Sequence, residues 1–400
     1  MLKIKKIFSK LKNSFKEERG LLESGEVLQK NFSTTVAFKY LANLPIIEVE
    51  IDAQKYKFLF DTAALSVVPT KLIKSNLLKP LESIEISDSQ NTLSDKNLYT
   101  LSSLKLGGLE FCDFAVVTHD FDTELPLSCL EIDGIFGYNF LNALVTQIDY
   151  QNQEIHFFHK VPSTKGFTKL PLLFDGLSGP RFEINFAFRN ILLTVDTGKN
   201  DGISLSVNDE FGSFNEYNYE MRETSGLFMS SFNGLKEYSK ERNYLVKDFK
   251  ITPKIEIESY PVSLNASSLS LVGNDFLQNF DMILDFREKK LYLKKHSEAI
   301  LKRKFYKSFG FFMHWSEKEK LYISALTEGL SAQCAGLEIG DRILALGERD
   351  SYDLSSKEYC QIFLELNSSL SSSKEELEIT VKNDTTIKRV ILKRNTIDEI

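Results

Sequence analysis

The sequence is poor in cysteine, with four in 400 residues. Cys112, Cys129, Cys334 and Cys360 stand far apart and outside any Cys-x-x-Cys spacing. That spacing excludes a zinc signature and a disulfide scaffold, and leaves free, partly buried thiols as the expectation. The five histidines are scattered, and His156 and His159 fall three apart in an expected strand, where their side chains point to opposite faces. No metal and no cofactor is assigned. Basic residues are also in short supply, 49 against 56 acidic ones for a net charge of −7, which removes any general attraction to phosphate backbones and with it nucleic acid as a partner. The alternating acids Asp120, Asp122 and Glu124 lack the glycine and terminal glutamate of a calcium loop and are read as a solvated loop.

Long apolar runs are missing too. None approaches a membrane span, and Met1 to Arg19 has no uninterrupted apolar core of the secretory kind, so the chain is expected to start in the cytoplasm. That first segment, residues 1–31, sets Ile4, Ile7, Phe8, Leu11 and Phe15 at helical spacing among lysines. It reads as a basic amphipathic helix, either docked on the protein or in weak contact with an anionic membrane surface.

What is abundant is aromatic: 31 Phe and 15 Tyr against only 9 Pro and 20 Gly, a composition that favours a strand-rich globular protein. From about Phe32 short runs of Val, Ile, Phe and Tyr alternate with turn residues, as in β-structure with few helices. Internal repetition then organises the chain. Tyr56–Ala64 and Ile191–Gly198 are both apolar strands that deliver an aspartate into a tight turn, and each follows an alternating strand that begins at Pro45 or Pro180. Downstream, Gly137-Tyr138-Asn139-Phe140-Leu141 matches Gly273-Asn274-Asp275-Phe276-Leu277. Asp61 and Asp196 lie 135 residues apart and the two glycines 136 apart. Two ordered matches at nearly one offset indicate two lobes of duplicated design, 32–160 and 161–297. Asp149 and Asp285 recur at one repeat position and are read as turn-forming scaffold.

Phe60-Asp61-Thr62-Ala63-Ala64 and Val195-Asp196-Thr197-Gly198, each followed later by an apolar pair and glycine at Ile135-Phe136-Gly137 and Leu271-Val272-Gly273, resemble the retropepsin-like aspartic peptidases. The likeness is to the bacterial form with both lobes on one chain, and it covers about residues 32–295. It implies a mainly β, two-lobed retropepsin-like (acid protease) β-barrel fold. It further implies an aspartic endopeptidase acting on a polypeptide substrate, with Asp61 and Asp196 as the catalytic pair. Two carboxylates held together cannot both ionise cheaply, so one keeps a proton and the pair serves as base and acid at once. By the same resemblance, the Thr62 and Thr197 hydroxyls would tie the two loops together, and the backbone around Ala63, Ala64 and Gly198 would hold the carboxylates. Ala63 stands where the family usually has glycine, and Lys199 stands where lobe one has Ala64. The rival reading is an inactive peptidase fold used as a peptide-binding scaffold. For a flap, the sequence offers Asp88–Thr92 as a tip in lobe one and Ser225–Gly234 in lobe two.

A third unit follows at 303–395. Ser308-Phe309-Gly310-Phe311-Phe312 and Ala335-Gly336-Leu337-Glu338-Ile339-Gly340-Asp341-Arg342-Ile343-Leu344 resemble a bacterial protease-associated PDZ domain of α+β type. The resemblance implies that Phe309, Gly310, Phe311 and Phe312 present backbone N–H groups to a peptide C-terminus, and that a helix at Ser355–Glu365 walls the groove.

Overall fold

The computed structural model describes residues 20, 22, 24–87, 93–122, 125–174, 179–187, 189–210, 213–228, 230–231, 234–235, 239–267, 269–296, 308–366, 375–383 and 386–394. The architecture is mainly β. The expected N-terminal helix and the flap tip at 88–92 lie outside the described residues.

The first half is built on the hairpin Leu44–Ile51 and Gln54–Phe60, joined through Asp52 and Ala53, both at positive φ. That backbone sense matches the twist of a two-residue hairpin. Period-2 alternation buries Ile47, Val49 and Ile51 on one strand and Tyr56, Phe58 and Phe60 on the other. Gly134–Phe136 then lies parallel to the second strand, with Phe136 opposite Phe60. The two rings stack at 6.1 Å, and Phe136 stacks in turn on Phe140 at 4.9 Å. Each such buried ring contributes roughly 1.5–3 kcal/mol.

The second half repeats the plan. Arg181–Asn185 and Asn190–Val195 form the hairpin, and Leu271–Val272 runs parallel to the latter strand. A six-stranded sheet joins the halves, in the order Thr168–Pro171, Lys290–Lys295, Phe280–Asp285, Val145–Asp149, Glu154–Phe158, Ser33–Ala37. Its central seam pairs Val145 with Asp285 and Ile148 with Met282. Asp149 accepts the Asn152 amide at 2.9 Å and Asp285 the Glu288 amide at 3.0 Å, which makes them the matched turn formers that the repeat suggested.

The C-terminal part has the strands Phe311–Ser316, Lys320–Thr327, Arg342–Leu346, Glu376–Lys382 and Ile387–Lys393. Its own core includes Leu321, Ile323, Ile343, Tyr359, Ile362 and Ile379. Its helix Ser356–Leu366 lies one residue from its expected position. Ser355 and Glu358 cap the helix reciprocally: the Ser355 amide donates to Glu358 at 2.8 Å and the Glu358 amide to Ser355 Oγ at 3.3 Å. This part is not a separate bead. Met221–Gly226 of the second half pairs antiparallel with Lys320–Thr327, so one sheet runs through both. Gly226, at φ +127°, permits the approach, because a β-carbon there would collide with Ala325.

One expectation fails here. Cys129 and Cys360 form a disulfide across 231 residues, while Cys112 and Cys334 are free. Spacing along the chain could not reveal the bond, because it depends on helix Ser356–Leu366 packing against the turn Leu127–Leu130 of the first half.

Candidate active site

Each aspartate sits just past the end of a buried strand. The parallel neighbour holds it there: the Asp61 amide donates to Phe136 O at 3.1 Å and the Asp196 amide to Val272 O at 3.0 Å. The apolar-apolar-glycine segments thus form the other wall of each Asp loop. Behind them, the Tyr138 amide reaches Ala64 O at 2.9 Å and the Asn274 amide reaches Lys199 O at 2.8 Å, so the duplication holds atom by atom.

The two loops are locked together by their threonines, both fully buried. The Thr62 amide donates to Thr197 Oγ1 at 3.0 Å and the Thr197 amide to Thr62 Oγ1 at 3.1 Å. Each hydroxyl passes its own proton to the opposite strand, Thr62 to Val195 O at 2.6 Å and Thr197 to Phe60 O at 2.7 Å.

The carboxylates are held less evenly. Asp61 Oδ1 accepts from the Ala63 and Ala64 amides at 2.8 and 3.0 Å, and Asp196 Oδ1 accepts from Gly198 at 2.9 Å. Burial raises the Asp61 carboxyl above the usual carboxylate range, against the pull of its two amides. Asp196 is raised well above that range, by burial first and then by the Asp61 charge beside it; Lys199 and the Gly198 amide act in the opposite sense. Asp61 also presses on the α-carbon of Gly198, where a β-carbon would run into its carboxylate. Ala63, at the matching place, faces Gly179, whose missing β-carbon leaves room: one built there would lie 3.1 Å from Ala63 Cα.

Sequence reasoning missed two supporting residues. Asn274 Nδ2 donates to Thr197 O at 2.7 Å and to Asn43 O at 2.8 Å, and its Oδ1 accepts from the Tyr150 hydroxyl at 2.7 Å. Tyr150 is buried, and burial, Tyr40 and Asp196 raise its hydroxyl above the ordinary range. The available signal was the break in the repeat, where lobe one has Tyr138 and lobe two has Asn274.

The strands Leu78–Ser87 and Leu93–Leu106 pair as a hairpin leading to 88–92. In the second half, Leu227 N donates to Ser324 O at 2.7 Å and the Phe228 ring lies 5.5 Å from Phe312, so this flap candidate is fastened to the C-terminal part. The loop of Phe309, Gly310, Phe311 and Phe312 leads into the strand Phe311–Ser316 of the C-terminal part. Its Gly310 amide is taken by Ser308 Oγ at 3.0 Å, and Phe309 and Phe311 pack on the local core.

Residues 47–140 match the model of the aspartyl protease family, a span that includes Asp61 and Gly137. No curated protein matches. Among solved structures, the chain is similar to the aspartic proteinase from Irpex lacteus at 14% identity, over 66% of this chain and 98% of that one, with a TM-score of 0.44. Among the described residues no helix is long and apolar enough to cross a membrane.

Proposed function

We propose that this chain is an aspartic-type endopeptidase in which Asp61 and Asp196 activate one water molecule between them. The observation that carries the reading is the reciprocal Thr62–Thr197 lock, which brings the buried Asp61 and the half-buried Asp196 close enough for the charge of one to raise the other. Asp61, whose carboxylate accepts two loop amides where Asp196 accepts one, is the better-stabilised anion and serves as the base, Asp196 bears the proton, and the pair titrates as a unit. Asp61 takes a proton from water as the water oxygen bonds to the scissile carbonyl carbon, and Asp196 gives its proton to the carbonyl oxygen. In collapse of that adduct, Asp61 delivers its proton to the departing nitrogen, the C–N bond breaks, and Asp196 recovers the hydroxyl proton. No covalent intermediate forms and no metal or cofactor is called on.

In this reading 32–160 and 161–297 are the peptidase lobes and 303–395 is a PDZ-like module that recruits a polypeptide by its C-terminus or regulates the cleft. The strand order and capped helix of the C-terminal part support the module. The Ser308 hydroxyl on the Gly310 amide means that a peptide carboxylate must displace it. The Cys129–Cys360 bond supports an oxidising compartment in preference to the cytoplasm.

The test is cleavage of a reduced, alkylated polypeptide from acidic to neutral pH. The native protein should cut internally, and Asp61→Asn and Asp196→Asn should each abolish cutting. Silence of the native protein at every pH, or persistent cleavage by both variants, supports the scaffold reading instead.

A further inference from the structure

Three charged side chains meet beside the Asp196 loop, and the reaction above uses none of them. Lys199 occupies the place that Ala64 holds in lobe one, but the amides differ. Ala64 N donates to the Asp61 carboxylate at 3.0 Å, whereas Lys199 N donates to the Asp196 main-chain carbonyl at 3.3 Å. Among the described residues Asp196 thus has one loop amide on its carboxylate where Asp61 has two.

The Lys199 side chain is 15% exposed and ends in an ion pair with Asp201. On the way it crosses the α-carbon of Gly273, where a β-carbon would meet Lys199 Cγ at 2.7 Å. A side chain in place of the Gly273 hydrogen would close this route. On the neighbouring strand Ser239–Thr252, Glu241 is held by Asn265 Nδ2 at 3.1 Å and by Ser263 and interacts electrostatically with the same ammonium, while burial and Asp201 push its carboxyl above the usual range. Burial pulls the pKa of this lysine down, but Asp201, Glu241 and Asp196 together outweigh it and raise the pKa above the ordinary value, so it remains charged. The charged groups around it are therefore Asp196 and Asp201 from its own loop and Glu241 from the strand packed against it.

We propose that Lys199 is a positioning residue for the aspartate pair, whose ammonium, anchored by its ion pair with Asp201, gives Asp196 the charge stabilisation that a second loop amide gives Asp61. The pH at which the pair loses its last proton is then set from outside the pair. The inference deepens the endopeptidase reading, but its primary test does not need activity.

Full-length protein labelled with 13C at the aspartate carboxyls is titrated by NMR, with Asp61→Asn and Asp196→Asn spectra identifying the pair. A positive charge favours the ionised form, so Lys199→Met should move the upper titration to higher pH by roughly one unit, and Lys199→Arg should restore it. Lys199→Gln serves as a second neutral variant, and thermal unfolding shows which variants fold. A Lys199→Met or Lys199→Gln curve that superimposes on the native one overturns the proposal, as does an arginine variant that shifts like methionine. In a parallel assay the alkaline limb of kcat/KM should follow the titration. Shifted titrations without any cleavage would retain this inference and reject the endopeptidase.

Discussion

Thr62 and Thr197 hold each other across the two halves of the chain, each amide donating to the other's hydroxyl at 3.0 and 3.1 Å. Four main-chain groups depend on this pair of hydroxyls, two on each, so removing one hydroxyl strands an amide in a dry site. Thr62→Ala and Thr197→Ala should each cost about 1–3 kcal/mol in denaturant unfolding. The double variant should cost less than the sum, because both act on one network. Serine at either position keeps the hydroxyl and should restore most of the stability.

Gly198 and Ala63 share a repeat position but should respond oppositely. Gly198→Ala drives a methyl into the Asp61 carboxylate and is expected to lower kcat at least tenfold, because displacing a reacting group is costly. Ala63→Gly only widens a gap already opened by Gly179. It should leave the fold intact and cleavage at the native level or above, in the same peptide assay.

Asp196 makes a stability prediction with a definite sign. Its pKa in the folded protein is raised by burial and by Asp61, so folding opposes its ionisation. Below about pH 4 the group is protonated in both folded and unfolded chains and the penalty is absent. As pH rises toward the folded-state pKa, the unfolded chain ionises more readily and stability is lost. Asp196→Asn should therefore raise Tm at pH 7 and leave it nearly unchanged at pH 3. An equal effect at both values would show that ionisation is not responsible.

Thiol chemistry separates the cysteines. Without reductant the native protein should titrate two thiols, Cys112 and the exposed Cys334, and four after reduction and unfolding. Paired Cys129→Ala and Cys360→Ala substitutions should lower stability by about 2–4 kcal/mol, read as a lower Tm.

Much of this was legible because the chain repeats itself. A common offset located Asp61, Asp196 and both glycine partners before any contact was known, and period-2 burial marked the two hairpins. Helix Ser356–Leu366 was expected through the PDZ resemblance, and the Ser355–Glu358 cap is its physical cause. The Cys129–Cys360 bond was not, since neither cysteine carries a local sign of its distant partner. Nor was the join of Met221–Gly226 to Lys320–Thr327. Main-chain hydrogen bonds make such an edge, and almost any side chains permit it; only Gly226 marks the contact. Asn274 was hidden for the opposite reason: it stands where the repeat breaks, opposite Tyr138, whereas the same kind of break at Lys199 was visible beside the Asp196-Thr197-Gly198 motif.

The seam between Val145–Asp149 and Phe280–Asp285 also governs the order in which the protein can be made. A ribosome releases Val145–Asp149 long before Phe280–Asp285, its partner in the six-stranded sheet, exists. Until residue 285 has emerged, Val145–Asp149 is an unpaired edge, open to pairing with another chain. The first half must wait, and its folding rate is tied to a closure across more than a hundred residues. Nascent chains stalled before this point should be prone to aggregation, and those stalled beyond it should not.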